Sequence, residues 1–311
     1  MNEPYLPLVS IMIPCYNQAR YLVEAVESAL QQSYLNIEII ISDDHSQDDT
    51  PLLSQQWRNH PHIKYFRNSK NLGRLNNYRK TLRERASGQF VLNLDGDDKL
   101  LNKNYIKDAM RFMLENDLKL VFGKRKNLTS IDSQHSYEDS KPANSYVLGR
   151  DFFDKYLEES IAIPHLTTLY ERKTAIRFGF YVADIISSDR HSVLNMIFDQ
   201  RCGYLDQVAG GWRETGQNIS RQISLTKRLE NLRLPSLVVA SVSSRATNTR
   251  IKGLNRWQKK YEGKLICNYL AMYFLRRKYA TLILFFCNAL LKYPISTFIF
   301  FPKEALKKIT S

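Results

Sequence analysis

Paired cysteines are missing from this chain. Its four, Cys15, Cys202, Cys267 and Cys287, lie far apart with no CxxC spacing. That argues against a clustered-cysteine zinc site and against a disulfide scaffold, and it fits a reducing compartment. The first residues, MNEPYLPLVS, lack a basic start followed by an apolar run, so no secretory signal is expected. There is no HExxH, no EF-hand loop and no Walker A lysine. The apolar runs near the C-terminus fall short of the roughly 18–20 residues that a single membrane span needs. Acidic residues are scarce in one place: residues 221–311 hold 3 of the 31 Asp and Glu but 18 of the 45 Lys and Arg. The formal net charge of +14 therefore comes from the last third, and the first 220 residues are close to neutral.

What is present is a chain of 311 residues, 43% hydrophobic, with no internal repeat. That is enough for one or two ordinary domains with a proper core. Residues 8–13 (LVSIMI) are a β-rich apolar run stopped by Pro14, which reads as a buried strand and a loop. Leu22, Ala25, Val26, Ala29 and Leu30 stand at helical spacing within 19–32. A second buried strand, 37–42 (IEIIIS), runs into DDHSQDDT, and a helix is expected from Asp48 to about Arg58. Further strands are expected at 62–66 and 90–94, with a helix at 74–86 between them. This alternation predicts an α/β fold with a mostly parallel, Rossmann-like sheet flanked by helices. A helix at 102–116 and a run at 119–124 follow; residues 125–148 are polar and irregular. Later, 165–170 (HLTTLY) reads as a strand, 188–199 as a helix and 203–210 as a strand or turn.

In such sheets ligands bind beyond the carboxyl ends of the strands. Three of those ends carry polar clusters: Pro14–Asn17, Asp43–Asp49 and Asp95–Asp98. In DGDD, carboxylates two residues apart at the end of a buried strand can face one site. Magnesium or manganese often binds one or two such groups together with substrate phosphates, neutralising a diphosphate leaving group. The same residues could equally form an acidic turn in which Asp98 or Asn102 caps the next helix. Asp43 or Asp44 could accept hydrogen bonds from a base or ribose, or cap the helix that starts near Asp48.

Four segments, VSIMIPCYNQARYLVEAVESALQQSY, IEIIISDDHSQDDT, NLGRLNNYRKTL and FVLNLDGDD, stand in an order and spacing that resembles the family 2 glycosyltransferases of GT-A fold. The resemblance covers about residues 7–220 and is most specific in the first hundred. It implies roles residue by residue. Pro14 and Tyr16 would lie against the nucleotide base, which Asp43 reads with Asp44 beside it. Asn71, Gly73 and Arg74 would close over the nucleotide. Asp95, Gly96 and Asp97 match the DxD element, in which Asp95 and Asp97 meet ribose and a metal-bound diphosphate. The resemblance also implies a catalytic base at the start of a later helix, where the family often has Glu-Asp. Here that position reads Ser188-Asp189, so Asp189 is the candidate, with Asp184 as competitor. Arg213 in GYLDQVAGGWRETGQNIS matches a site-closing segment that often reads R-x-H, and could contact the diphosphate. Thr215 stands where His is usual, and Trp212 lines either the acceptor site or the core. His165 is a further group that could sit near the acceptor.

The implied activity is inverting transfer from a UDP- or dTDP-sugar, with Mn2+ or Mg2+, to a glycolipid or lipid-linked saccharide of bacterial surface polysaccharide assembly. The alternatives are a nucleotidyltransferase and a nucleic-acid-binding protein. The first normally has a Gly-rich basic loop after the first strand, where this chain has PCYNQAR. The second is disfavoured because the C-terminal Lys and Arg alternate with long apolar runs. Those runs, 265–275 and 279–291, are divided by Arg276, Arg277 and Lys278, and YPISTFIFF continues to Phe301. They suit a segment lying on an anionic leaflet, where each Lys or Arg contributes about 1 kcal/mol, or a helical subdomain packed on the core. The expected division is therefore a catalytic region, 1–220, with a nucleotide-sugar half to about 124 and an acceptor half after it. A basic, apolar, helical region at 221–311 would hold the protein peripherally at the cytoplasmic face of the inner membrane.

Overall fold

The computed structural model describes residues 6–128, 144–148, 153, 163–215 and 223–297. Of the stretch read as irregular, 125–148, both ends prove to be strand, to Leu128 and from Ser145; residues 129–143, the GQNIS end of the R-x-H-like segment and the tail beyond 297 lie outside the described residues. A nine-stranded sheet runs β3-β2-β1-β4-β8-β6-β9-β5, with β7 on β9. Its strands are β1 (Val9–Cys15), β2 (Ile37–Asp43), β3 (Ile63–Arg67), β4 (Phe90–Asn93), β5 (Lys99–Leu100), β6 (Leu120–Leu128), β7 (Ser145–Leu148), β8 (Thr168–Glu171) and β9 (Cys202–Arg213).

β1 to β4 pair in parallel, and β6 and β9 share their direction. β8 lies antiparallel between β4 and β6, and the short β5 and β7 run antiparallel to β9. The expected α/β sheet, mostly parallel and flanked by helices, is present. β1 and β2 are buried on both faces and their side chains alternate between two apolar clusters. Val9, Ile11 and Ile13 join Leu22, Ala25, Val26 and Ala29 of α1 (Ala19–Leu30) on one side. Met12 and Ile40 face the other side, with Tyr78 and Leu82.

The helix expected from Asp48 is shorter than its sequence suggests: α2 spans Thr50–Leu53 and passes into a 3-10 turn, Ser54–Trp57. α3 (Arg74–Lys80) continues as a π-helical turn to Arg85. α4 is Tyr105–Glu115 and α5 is Arg172–Arg177. His165–Thr167 is a 3-10 turn rather than the start of a strand. The Thr167 hydroxyl donates to the Gly123 carbonyl (2.7 Å) and the Thr168 hydroxyl to that of Pro164 (2.7 Å), so β8 begins only at Thr168. This turn takes His165 out of the sheet.

α6 (Ser188–Ile197) is followed in the last third by α7 (Leu225–Asn231), α8 (Leu234–Ser243), α9 (Asn248–Leu275) and α10 (Tyr279–Lys292). Val238, Val242, Trp257, Ile266, Phe285 and Ala289 belong to the same apolar cluster as Met12 and Phe122. The C-terminal helices thus share a core with one face of the sheet. Among the described residues no helix is long and apolar enough to cross a membrane.

Candidate functional site

The loops after β1 and β2 are tied into one rim. The Asp44 amide donates to the Cys15 carbonyl (2.9 Å), the Asn17 amide to Ser46 Oγ (2.9 Å) and the Gln47 amide to Asn17 Oδ1 (2.8 Å). Asp48 Oδ2 accepts from the first amide of α1, that of Ala19, at 2.9 Å, which satisfies an orphan donor from a distant loop. Tyr16 projects from this rim exposed, directly after Pro14 and Cys15 at the end of β1.

Asp43 is fully buried, and both of its oxygens are engaged. Oδ1 accepts from the Ser46 amide (2.8 Å); Oδ2 accepts from the Tyr65 hydroxyl (2.7 Å) and pairs with Arg67 Nε (3.3 Å). Asp44 Oδ1 accepts from Asn68 Nδ2 and from the Leu72 amide, each at 2.8 Å. The acidic pair therefore organises the end of β3 and the loop that leads to Asn71, Gly73 and Arg74. Asn71 Oδ1 accepts from the Gly73 amide (2.9 Å), and Gly73 has φ 81°, a conformation that suits glycine at the entry to α3.

The DGDD turn follows β4. One oxygen from each of Asp95, Asp97 and Asp98 lies within 4.8 Å of the others. Burial, and then Asp97, push the Asp95 carboxyl up to about 7. Burial raises Asp97 as well, against hydrogen bonds to its carboxylate from the Gln18 amide and the Thr215 hydroxyl. Burial and the two neighbouring aspartates raise Asp98. Three carboxylates driven toward their neutral forms by burial and by one another make an oxygen-only set that fits a hard divalent cation. Asp98, read from sequence as a possible helix cap, belongs to this set; the cap of α4 is Asn104. Gly96 has no room for a side chain, because a Cβ there would meet Gln18 Oε1 at 2.6 Å and Cys15 Cβ at 2.9 Å.

Arg213, at the end of β9, locks this turn. Its amide donates to Asp98 Oδ1 (2.8 Å), its Nε to the Asp97 carbonyl (3.1 Å) and its Nη2 to Glu24 Oε2 (2.8 Å), while the guanidinium lies 4.8 Å from the Tyr21 ring centroid. The short β5–β9 pairing sets this register. A cleft of about 460 Å³ opens beside it, lined by Asn17, Arg20, Tyr21, Gln47, Asp48 and Thr215.

Asp189 stands in the first turn of α6. Burial alone would raise its carboxyl, but the permanent charges of Arg74 and Arg190 beside it hold it below its usual range, so it is ionised at neutral pH. The Asp95 carboxyl feels Arg74 and Asp189 as well as Asp97. Residues from β4, α3 and α6 thus meet in one electrostatic site, and Arg74 reaches across it to donate to the Ile186 carbonyl (3.0 Å). A smaller cavity of about 40 Å³ is lined by Asp189, Arg190, His165, Ile163, Val193 and Leu194. Burial pushes His165 down to about 4, so its imidazole is neutral, and its Nε2 is buried without a partner. Its ring packs edge-on against Tyr78 at 5.2 Å. Asp184, the competing acid, is exposed in the turn before α6.

Sequence reasoning named Asp95, Asp97 and Asp189, and the structure brings them together. That reasoning does not single out Gln18, Tyr65 or Arg67, nor the place of Asp98 in the carboxylate cluster. Tyr65 and Arg67 stand at a strand end, so the strand-end rule could have found them. Nothing in the local pattern marks Gln18, whose role follows from the close approach of α1 to the glycine.

The family model for glycosyl transferase family 2 matches residues 10–168. A curated relative, the GalNAc(5)-diNAcBac-PP-undecaprenol beta-1,3-glucosyltransferase of Campylobacter jejuni, is 37% identical over 98 residues, 31% of this chain and 32% of that protein. The chain spans less than half the length of the curated relatives it matches. Among solved structures, Staphylococcus aureus TarS 1–349 in complex with UDP-GlcNAc superposes with TM-score 0.63 at 18% identity, over 86% of this chain and 72% of that one. The mannosyltransferase PcManGT of Pyrobaculum calidifontis, in complex with GDP-Man and Mn2+, gives TM-score 0.55 at 16% identity, over 99% and 87%. At these identities the likeness is one of fold, and the GT-A architecture expected from the four segments is the one found.

Proposed function

The chain belongs to glycosyl transferase family 2 and is a glycosyltransferase; from that premise we propose that it moves a sugar, with inversion, from a UDP- or dTDP-sugar to a lipid-linked saccharide in bacterial surface polysaccharide assembly. The observation that carries the reading is that Asp95 clusters with Asp97 and Asp98 and also senses Asp189 and Arg74. Pro14, Tyr16, Asp43 and Asp44 frame the base, with Tyr65 and Arg67 held in place by Asp43. Asn71, Gly73 and Arg74 close over the nucleotide, and Gly96 lets the acidic turn approach the start of α1. Asp95, Asp97 and Asp98 would hold Mn2+ or Mg2+, which neutralises the charge that develops on the leaving diphosphate. Arg213 braces that turn and adds positive charge beside it.

Asp189 accepts the proton of the attacking acceptor hydroxyl as the new bond to the anomeric carbon forms and the bond to the diphosphate oxygen breaks. Its ionised state at neutral pH, sustained by Arg74 and Arg190, is what a base requires. A nucleotide-sugar donor is supported by the UDP-GlcNAc and GDP-Man complexes of the two structural neighbours. A lipid-linked acceptor is supported by the undecaprenol-linked substrate in the name of the Campylobacter relative. With such an acceptor the enzyme works peripherally at the cytoplasmic face of the inner membrane: the part up to about residue 220 does the chemistry, and residues 221–311 attach it. The test is a panel of nucleotide sugars screened by thermal shift with and without Mn2+, followed by transfer assays on the donors that bind. A shift with UDP- or dTDP-sugars that requires metal is expected. Metal-independent binding of nucleoside triphosphates alone would contradict the reading.

A further inference from the structure

The C-terminal helices carry an apolar face that nothing described in the chain covers. On α10 the inward side is Phe285 and Ala289, both buried. The opposite side presents Ala280, Ile283, Leu284, Cys287 and Leu291 at helical spacing, all exposed. Ile283 is 62% accessible, Leu284 52% and Leu291 82%, and Leu275 at the end of α9 is 79% accessible. Scattered exposed leucines need no account, but a continuous helix face does. It is roughly 20 Å long, given the rise per helical residue.

The charge along the segment that carries this face is of one sign. Arg276, Arg277 and Lys278 form the exposed turn before it, Lys292 closes it, and residues 263–297 contain no Asp or Glu. We propose that the face of α10, with the basic turn before it, seats the protein on an anionic lipid bilayer, with the aliphatic side chains among the acyl chains and the cations at the headgroups. Nucleic acid offers nothing to five aliphatic or thiol side chains in a row. A second copy paired through the same face in antiparallel fashion would bring Arg276–Lys278 against Lys292 with no acid to offset them. An anionic leaflet satisfies both features at once. The inference rests on the lipid-linked acceptor reading only for its purpose, since the binding itself can be measured without any substrate.

Cys287 supplies the probe, because the other three cysteines are buried. The full chain, labelled there with an environment-sensitive fluorophore, is mixed with phosphatidylcholine vesicles and with vesicles that also contain phosphatidylglycerol; unlabelled protein is co-sedimented with both. The expected result is a blue shift and co-sedimentation with the anionic vesicles only. Ile283→Asp with Leu284→Asp, and separately Arg276→Glu with Arg277→Glu, should each weaken partitioning about tenfold or more while the circular dichroism stays native. Transfer to a water-soluble acceptor should persist in both variants. Wild-type protein that ignores anionic vesicles would overturn the inference. So would undiminished binding by both variants, or a wild-type oligomer on size exclusion that these variants convert to monomer. Docking by a wild type that transfers no sugar would support this inference and overturn the enzymatic reading alone, so the two fail separately.

Discussion

Asn231 Oδ1 accepts a hydrogen bond from the Ser187 amide at 2.9 Å, at the residue that caps the helix carrying Asp189. The other end of the same amide donates to Ser187 Oγ (3.1 Å) and to the Tyr269 hydroxyl (2.8 Å). Asn231 ends α7 and is buried, and Tyr269 lies on α9 with its ring 5.6 Å from that of Phe285. Arg190, next to the base, donates to the Tyr261 hydroxyl (3.3 Å). The C-terminal helices therefore hold the start of α6 in register, in addition to any part they play at a membrane.

Replacing Asn231 should uncouple these parts. Asn231→Ala leaves the Ser187 amide unsatisfied and should destabilise the fold by about 1–3 kcal/mol. Donor affinity should hold while kcat falls, because the base moves and the nucleotide site does not. Calorimetric donor binding and steady-state kinetics on the same preparation check this; a rise in donor Kd with unchanged kcat would count against it.

Asp189→Asn should keep donor binding and lose turnover by roughly 10²–10⁴-fold. Asp184→Asn, in the exposed turn before α6, should leave kcat near wild type. Single-turnover transfer measured on both variants separates the two acids, and the reverse pattern would move the base to Asp184.

Metal and pH should be linked through the acidic turn. The Asp95 carboxyl, ordinarily at 3.8, is pushed up to about 7 in the folded chain. Between those values the folded state keeps a proton that the unfolded state has released. Without metal, stability from this group falls as pH rises through that window and levels off above it. A cation binds the deprotonated set, so Mn2+ should raise Tm more at about pH 8 than at about pH 5. Equal shifts at both pH values would show that these carboxylates are not the ligands.

Gly96→Ala tests the close approach of the turn to α1. The added methyl would overlap Gln18 and Cys15, at a cost of about 1–3 kcal/mol for an overpacked site. It should also weaken Mn2+-dependent donor binding, because Gln18 is displaced from Asp97. Thermal melts and donor titrations read the two effects separately.

Much of this was legible in the chain because period and position carry it. The wholly buried, β-branched β1 and β2, the spacing of α1 and the acidic residues after β4 follow local rules that the sheet obeys. The 3-10 turn at His165 was not legible, since HLTTLY has the composition of a strand and the turn is decided by Thr167 reaching Gly123 across the sheet. The internal partners of Asp43 were hidden for the same reason, as Tyr65 and Arg67 come from a strand more than twenty residues away. The C-terminal region read as apolar runs broken by charge, and both sides of that pattern are present. One face of α10 joins the core, and its opposite face is exposed among the described residues.

The most direct test is sugar transfer from a UDP- or dTDP-sugar donor by wild type and by Asp97→Ala, each with Mn2+ and with chelator. Activity in the wild type that requires metal and disappears in Asp97→Ala is the predicted result. Full activity of Asp97→Ala under chelation would contradict the account.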